Sequence, residues 1–378
     1  MKLGGKPHAA DSLTALGVAA MVMLSGSCGG VTAKLTDASA SLYSRHDDDD
    51  TTIWSPRARA AAQIGERTTV EATYMMDAWS SASIDIRTSA TPVVREVRHE
   101  IEAGGGYQFD DATLSGGYRY STENDYWSHG GVLTLAVDFA QRNTTISLSA
   151  VGAHDLVGKD GDPHFERPLD SGGGRFTWTQ VWTSESLLEV SWETLFLTGF
   201  QASPYRWVAL GVDGLCAGAA PYCVPEFVPD ERFRHALGAQ FRRALGADWS
   251  AGAAYRFYAD SWGVLSHTIE PSVTYRIGSA AELSADYRYY TQNEADFYLP
   301  RYGIRGDRTS YATRDRKLSA MYSHTAGLTY SHRVPIGADS ALVFSVRGSG
   351  TLYHYLAYVG LDDVKALELT GLVAFERR

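Results

Sequence analysis

The sequence predicts an all-β protein: an antiparallel transmembrane β-barrel of about 16 strands, within a range of roughly 14 to 18, with short periplasmic turns and long extracellular loops. Three observations point there. Apolar and polar residues alternate with a period of two through one segment after another, as strands with one apolar face require. The connections between segments are alternately short and long. Histidines and aromatics recur at the long-loop end of the segments, on the apolar face.

The stretch from Asp248 to Ile277 carries the pattern in one piece. Trp249, Ala251, Ala253, Tyr255 and Phe257 alternate with Ser250, Gly252, Ala254, Arg256 and Tyr258. After the tip Asp260-Ser261-Trp262-Gly263, the chain returns with Leu265, His267, Ile269, Pro271, Val273, Tyr275 and Ile277 on the apolar side. A soluble sandwich shows the same alternation in any single hairpin, so the inference rests on recurrence.

Composition bounds the alternatives. With 37 Gly, 22 Tyr and 9 Trp in 378 residues and 21% charged side chains, the chain is neither disordered nor a helical membrane protein. It has no apolar run of about 18 residues, and Gly and aromatics are what strands and tight turns consume. A net charge of -10 argues against nucleic acid as a partner. Lysine is confined to Lys2, Lys6, Lys34, Lys159, Lys317 and Lys365, so arginine carries nearly all the positive charge. The guanidinium suits partly enclosed ion pairs because it binds carboxylates in a fork and has less hydration to lose.

Residues 1–33 read as a signal peptide, with Lys2 and Lys6 ahead of the apolar run Leu13 to Leu24 and small residues ending Val31-Thr32-Ala33. Residues 34–378 are then the barrel, and the outer membrane of a Gram-negative bacterium is its expected location. Cys28 follows Ser25-Gly26-Ser27, in part like a lipoprotein cleavage site, but a serine stands where leucine is usual. Cys216 and Cys223 flank a short loop-like segment, and two nearby thiols in an exported protein read as a disulfide. They offer too few ligands for a metal.

Taken in order, the expected strands are 34–44, 53–64, 68–77, 94–106, 112–122, 128–139, 144–153 and 174–183, then 186–198, 233–244, 248–258, 264–277, 281–292, 321–334, 341–353 and 365–377. Short turns such as Gly65-Glu66-Arg67, Gln141-Arg142-Asn143 and Gly278-Ser279-Ala280 follow the even-numbered ones. The long connections 155–171, 199–232 and 293–319 follow odd-numbered ones. A sandwich has no reason to keep that asymmetry, whereas outer-membrane barrels do.

Five histidines, His99, His129, His235, His267 and His324, sit on the apolar face at the loop end. The facing strands answer with Tyr118-Arg119-Tyr120, Tyr255-Arg256-Phe257 and Tyr287-Arg288-Tyr289. Tight tips would put Tyr120 beside His129 and Phe257 beside His267 as cross-strand pairs. Imidazoles at one level are candidate metal ligands or pH sensors. Ligands must converge, however, and outward-facing residues on a cylinder diverge. The reading is therefore an interface girdle of His99, His129, His235, His267, His324, Tyr120, Phe257 and Tyr289, with no metal.

Parity sends the charges the other way. Lumen and mouth candidates are Arg98, Glu100, Arg119, Arg256, Glu270, Arg276 and Arg288, among a larger set that includes Arg57, Arg59, Arg175, Arg234, Arg347, Glu71, Glu193 and Asp286. So many charges cannot fill a dry core. Water or mutual pairing must occupy the interior, giving a zwitterionic wall. Acid, aromatic and arginine also recur together in the loops. They form either a site at the mouth or loops folded over it and held by arginine–carboxylate pairs. The run Asp47 to Asp50 lacks the glycine and terminal glutamate of a calcium loop and reads as a solvated tip.

At Ser80-Ser81-Ala82-Ser83, Val97-Arg98-His99-Glu100, Tyr120 to Asp125, Gln141 to Thr145, Gly161-Asp162-Pro163, Gly199 to Arg206, Arg234 to Leu237 and Tyr255 to Trp262, the chain resembles a family of bacterial exported proteins of unknown function, DUF 3570. The resemblance covers about residues 37 to 378 and implies an outer-membrane barrel with no established activity or catalytic residue. Phe375, followed by Glu376-Arg377-Arg378, departs from the aromatic ending common in barrels recognised by the insertion machinery.

The functional expectation is a pore or transport/export-assisting channel; the alternative is a surface-exposed binding or structural barrel. Enzyme activity, as in a barrel-embedded hydrolase, ranks below both. The Ser-His dipeptides at 128, 266, 323 and 331 cannot form dyads by themselves, because adjacent strand residues face opposite ways. No cofactor is implied. The expected partners are outer-membrane lipid and the barrel-insertion machinery.

Overall fold

The computed structural model describes residues 33–81, 94–211, 216, 220–303 and 311–377. The signal segment, including Cys28, lies outside the described residues apart from Ala33. The strands in chain order are β1 (Ala33–Asp47), β2 (Thr51–Ile64), β3 (Thr68–Ser81), β4 (Val94–Gln108), β5 (Ala112–Thr122), β6 (Tyr126–Phe139), β7 (Thr144–Val157), β8 (Arg167–Thr183) and β9 (Ser186–Gly199). They continue as β10 (Trp207–Ala209), β11 (Cys223–Pro225), β12 (Glu231–Ala244), β13 (Trp249–Asp260), β14 (Leu265–Ile277), β15 (Ala281–Gln292), β16 (Met321–Pro335), β17 (Ser340–Tyr355) and β18 (Asp363–Arg377). All but β10 and β11 form one closed antiparallel barrel of 16 strands, which is the predicted fold class and strand number. β1 closes on β18 from Asp37 opposite Glu376 to Asp47 opposite Ala366. Full closure leaves no unpaired strand edge.

Every expected strand is present, but several run further at the loop end. β7 continues to Val157 and β8 begins at Arg167, so the loop expected over 155–171 shrinks to 158–166. Gly172 and Gly173 fall between the loop expected to end at 171 and the strand expected from 174. In the barrel Gly173 lies so close to β9 that a Cβ there would collide with the Thr194 carbonyl, so the glycines allow the strands to approach.

The run Asp47 to Asp50 is solvated only in part: Asp48 and Asp50 are exposed, but the tip is also tied down. Asp47 is 1% exposed and its Oδ1 accepts from the backbone N–H of Asp49 and Thr51 at 3.2 and 2.9 Å. Asp48 accepts from the Lys365 N–H at 2.7 Å, and Asp49 pairs with Arg316 at 2.9 Å. Asp48 and Asp49 fasten the β1–β2 tip to β18 and to a neighbouring loop, and Asp47 organises the turn itself.

At the opposite end the connections are tight. In the β6–β7 turn Ala140, Gln141 and Arg142 all take positive φ, at 50, 59 and 66°, a conformation that costs residues with a Cβ. The buried apolar cluster lies at the loop end, where Val228, Trp262, Val264, Ala295, Tyr298, Leu318, Met321, Tyr355 and Tyr358 pack together. Lumen-facing Tyr258, Tyr290 and Tyr353 pack against it, so the loops fold inward over part of the mouth, as expected.

Candidate functional site

The outer and inner faces divide as parity predicts. Val97, Ile101, Leu133, Leu237, Ile269 and Leu328 are exposed apolar residues on the outer face, in step with the histidines. Tyr120 is directly opposite His129, Phe257 opposite His267 and Tyr289 opposite His324, with ring centroids 4.9, 5.3 and 5.2 Å apart. His235 stacks on Trp192 at 6.3 Å and 7°. A further bond, not legible in the sequence, ties this belt together. The phenols of Tyr74, Tyr118, Tyr255 and Tyr287 reach Nδ1 of His99, His129, His267 and His324 at 2.9, 2.5, 2.7 and 2.5 Å.

The belt also holds His46, His154 and His354, which the sequence reading missed because it ended their strands too early. His154 is directly opposite His129 and pairs with Asp170 at 2.7 Å. His46 bonds the Thr52 hydroxyl at 3.0 Å, and His354 pairs with Asp363. Alternation continues through these residues, but the outward side chain there is polar and no longer marks the strand. Among the described residues no three His, Cys, Asp or Glu converge as metal ligands. Ser128 lies on the face opposite His129, near Arg119 Nη2 at 3.3 Å.

Inside, arginines and carboxylates pair across neighbouring strands. Arg98 bonds Asp77 at 2.7 Å, Arg119 bonds Glu100 at 3.2 Å, and Arg288 bonds Glu270 at 2.8 Å. Arg175 and Arg256 share Glu193 at 3.1 and 3.2 Å, and Arg59 bridges Asp37 and Glu71 at 2.7 Å each. Arg347 grips Asp286 through both terminal nitrogens. Six of the seven candidate lumen charges are therefore in ion pairs. Arg276 is the exception: it lies opposite Glu282 in register near the short-turn end, without an ion pair among the described residues.

Two loops narrow the mouth. The β9–β12 connection carries the hairpin β10–β11, with Trp207 opposite Pro225 and Ala209 opposite Cys223. The expected Cys216–Cys223 disulfide closes it. Arg206 clamps Glu226 at 2.9 and 3.0 Å and lies 3.6 Å from Asp315, which links this loop to the next. In the β15–β16 connection the Asp315 side chain accepts from the Lys317 N–H at 2.9 Å and caps a 3-10 turn, Arg316–Leu318. That turn borders two openings. One, of about 590 Å³, is lined by Glu96, Glu123, Asp125, Arg45, Arg206 and Arg316 among others. The second, of about 440 Å³, is lined by Arg232, Arg234, Arg256, Tyr258, Trp262 and Leu318 among others. Asp315 and Lys317 line both.

The charges of the mouth are shaped by enclosure. Glu96, three residues beyond His99 toward the loops, is lifted to about 7 by burial, with Glu123, Asp125 and Asp160 adding repulsion. Burial also raises Glu123, against the pull of Arg98. Tyr205 is raised by burial and by its bond to Asp125. Burial pushes Asp315 up, but Arg206 and Lys317 outweigh it and hold the carboxyl below its ordinary value.

Among solved structures, the chain is similar to OprD of Pseudomonas aeruginosa, with a TM-score of 0.44 and 11% identity over 90% of this chain and 94% of that one. It is also similar to a bacterial polysaccharide outer membrane secretin (TM-score 0.48, 10% identity, 90% and 98% covered) and to the CymD monoaromatic hydrocarbon channel (0.41, 9%, 91% and 87%). No curated protein matches the sequence. The family described as protein of unknown function, DUF3570, matches residues 84–171 and 170–346, more than half of the chain, and the protein belongs to that family.

Proposed function

We propose that this protein is an outer-membrane channel that passes small solutes through a water-filled, charge-lined barrel with a narrowed outer mouth. The observation that carries the reading is the state of the inner wall. Arg175, Arg256 and Glu270 point inward, yet their side chains remain 47, 50 and 46% exposed. Inward charges that stay half exposed face open space, and that space must hold water, since a dry interior would penalise each ion by several kcal/mol. The outer location is supported by the apolar exterior and by the His/Tyr belt at the level where an interface would lie. The short turns then face the periplasm and the loops the outside.

Proteoliposomes containing the refolded protein should swell in an isosmotic solution of a small neutral sugar and stay unchanged in a large polysaccharide. Absence of swelling, with the protein folded and inserted, would replace the channel with a surface-binding or structural barrel.

A further inference from the structure

Among the described residues, the ion-paired wall has an enclosed exception at the mouth. Arg234 projects inward from β12, directly opposite Asp260 on β13, which should be its counter-charge. Asp260 is already saturated. Its Oδ1 accepts from the N–H of Trp262 and Val264 at 2.9 and 3.1 Å. Its Oδ2 accepts from the Tyr258 hydroxyl at 2.6 Å and from Arg232 through Nε at 2.9 Å and Nη2. The next carboxylate on this wall, Glu193, is shared by Arg175 and Arg256. Glu226, across the cavity, is held by Arg206, by the Ser203 N–H at 2.7 Å and by the Thr313 hydroxyl.

Arg234 is thus left without a hydrogen bond or ion pair among the described residues, and its Nε is buried and unsatisfied. Its terminal nitrogens are the donors left to face the 440 Å³ cavity, which Arg232, Arg256 and Lys317 also line. A guanidinium in this position lacks one thing, an anion with a flat pair of oxygens. The rest of the lining is mixed: Gln201, Ser266, Gln292, Glu226 and Asp315 are polar, while Trp262, Val264, Val228 and Leu318 contribute an apolar patch.

We propose that this cavity is a binding subsite for a small amphiphilic monocarboxylate, whose carboxylate meets the terminal nitrogens of Arg234 while its apolar body lies against Val228 and Leu318. Lys317, on the turn that borders both openings, supplies a second positive charge to the bound anion. The inference specifies a solute class for the channel reading, but binding can be measured without conduction.

Benzoate is the probe, titrated calorimetrically into the intact, disulfide-bonded protein in detergent, with benzyl alcohol and inorganic phosphate as comparisons. Benzoate should bind, and both comparisons should bind more weakly. Arg234→Gln should weaken benzoate by about tenfold or more, the usual loss for a charged hydrogen-bond donor, and Arg234→Lys should restore part of it. Arg57→Gln, at a lumen arginine outside this cavity, should leave binding unchanged. Heat-dependent gel mobility shows whether each variant is folded; if Arg234→Gln is not, Lys317→Gln takes its place and should weaken benzoate severalfold. No benzoate binding by the wild type, or equal binding by the folded Arg234 or Lys317 variants, overturns the proposal. Phosphate binding as tightly as benzoate removes the apolar part of it. Arg234-dependent binding without liposome swelling leaves the subsite standing and ends the channel reading.

Discussion

A tyrosine hydroxyl on an apolar outer face is a liability, and four of them meet the same solution. Tyr74, Tyr118, Tyr255 and Tyr287 lie two positions deeper than the residue opposite each histidine, a diagonal that a long aromatic can span. The phenol satisfies itself on Nδ1, and the imidazole carries the polar contact toward the loop end of the barrel. Parity in the sequence puts tyrosine and histidine on one face and pairs each histidine with its direct neighbour, whereas the diagonal tyrosine makes the bond. Removing one hydroxyl, as in Tyr255→Phe, strips His267 of its partner. It should lower stability by about 1 kcal/mol, read from urea equilibrium folding into lipid vesicles, whereas a change at exposed Tyr222 should have no effect. Glu96 makes a second residue-scale prediction. A carboxyl lifted to about 7 is largely neutral below that pH and charged above it. The mouth should therefore become more cation-selective as pH rises from about 6 to about 8, seen as a shift in reversal potential under a salt gradient. Glu96→Gln should abolish most of the shift.

The strands themselves were legible because one face of the barrel is apolar and the other polar and charged, and alternation records that contrast directly. Their loop ends were not, because above the apolar band polar and apolar residues fall on both faces: Leu156 and Val157 of β7 and Leu169 of β8 alternate with no consistent partner face. Gly172 and Gly173 have a turn-like composition and a strand role. Long-range pairing was equally hidden at the tip of β1, where Asp48 and Asp49 find partners in Lys365 and Arg316, over 260 residues away along the chain. Turn chemistry supplies a prediction at this scale. The β6–β7 turn holds Gln141 at φ 59° between two other left-handed residues, where glycine is better suited. Gln141→Gly should raise stability by up to about 1 kcal/mol, measured by the same urea titration; a loss of similar size would mean that the turn gains more from the glutamine side chain than its backbone loses.

At the scale of the whole barrel, the sequence reading of the interior rested on charge counting. Too many arginines and carboxylates shared the inward parity for a packed core, and their pairing across strands follows from placing opposite charges on neighbouring strands. The sequence did not show which charge would be left over, because that depends on how many donors Asp260 and Glu193 already serve. Nor did it show that the turn Arg316–Leu318 would border two openings of different charge, since that follows from ties between loops far apart in the chain. On the proposed channel reading, the mouth is the narrow point of the molecule and the wall below it holds water.

Ion conductance across a planar lipid bilayer tests this account most directly, comparing the intact protein with a variant whose β15–β16 connection is shortened to remove residues 313–318. The intact protein should conduct with weak ion selectivity, as a wall of paired charges requires, and the shortened one should conduct more. If neither conducts although both are folded and inserted, the lumen is closed and the channel account fails. If both conduct equally, the loops do not form the narrow point and the mouth described here is not the gate to the barrel.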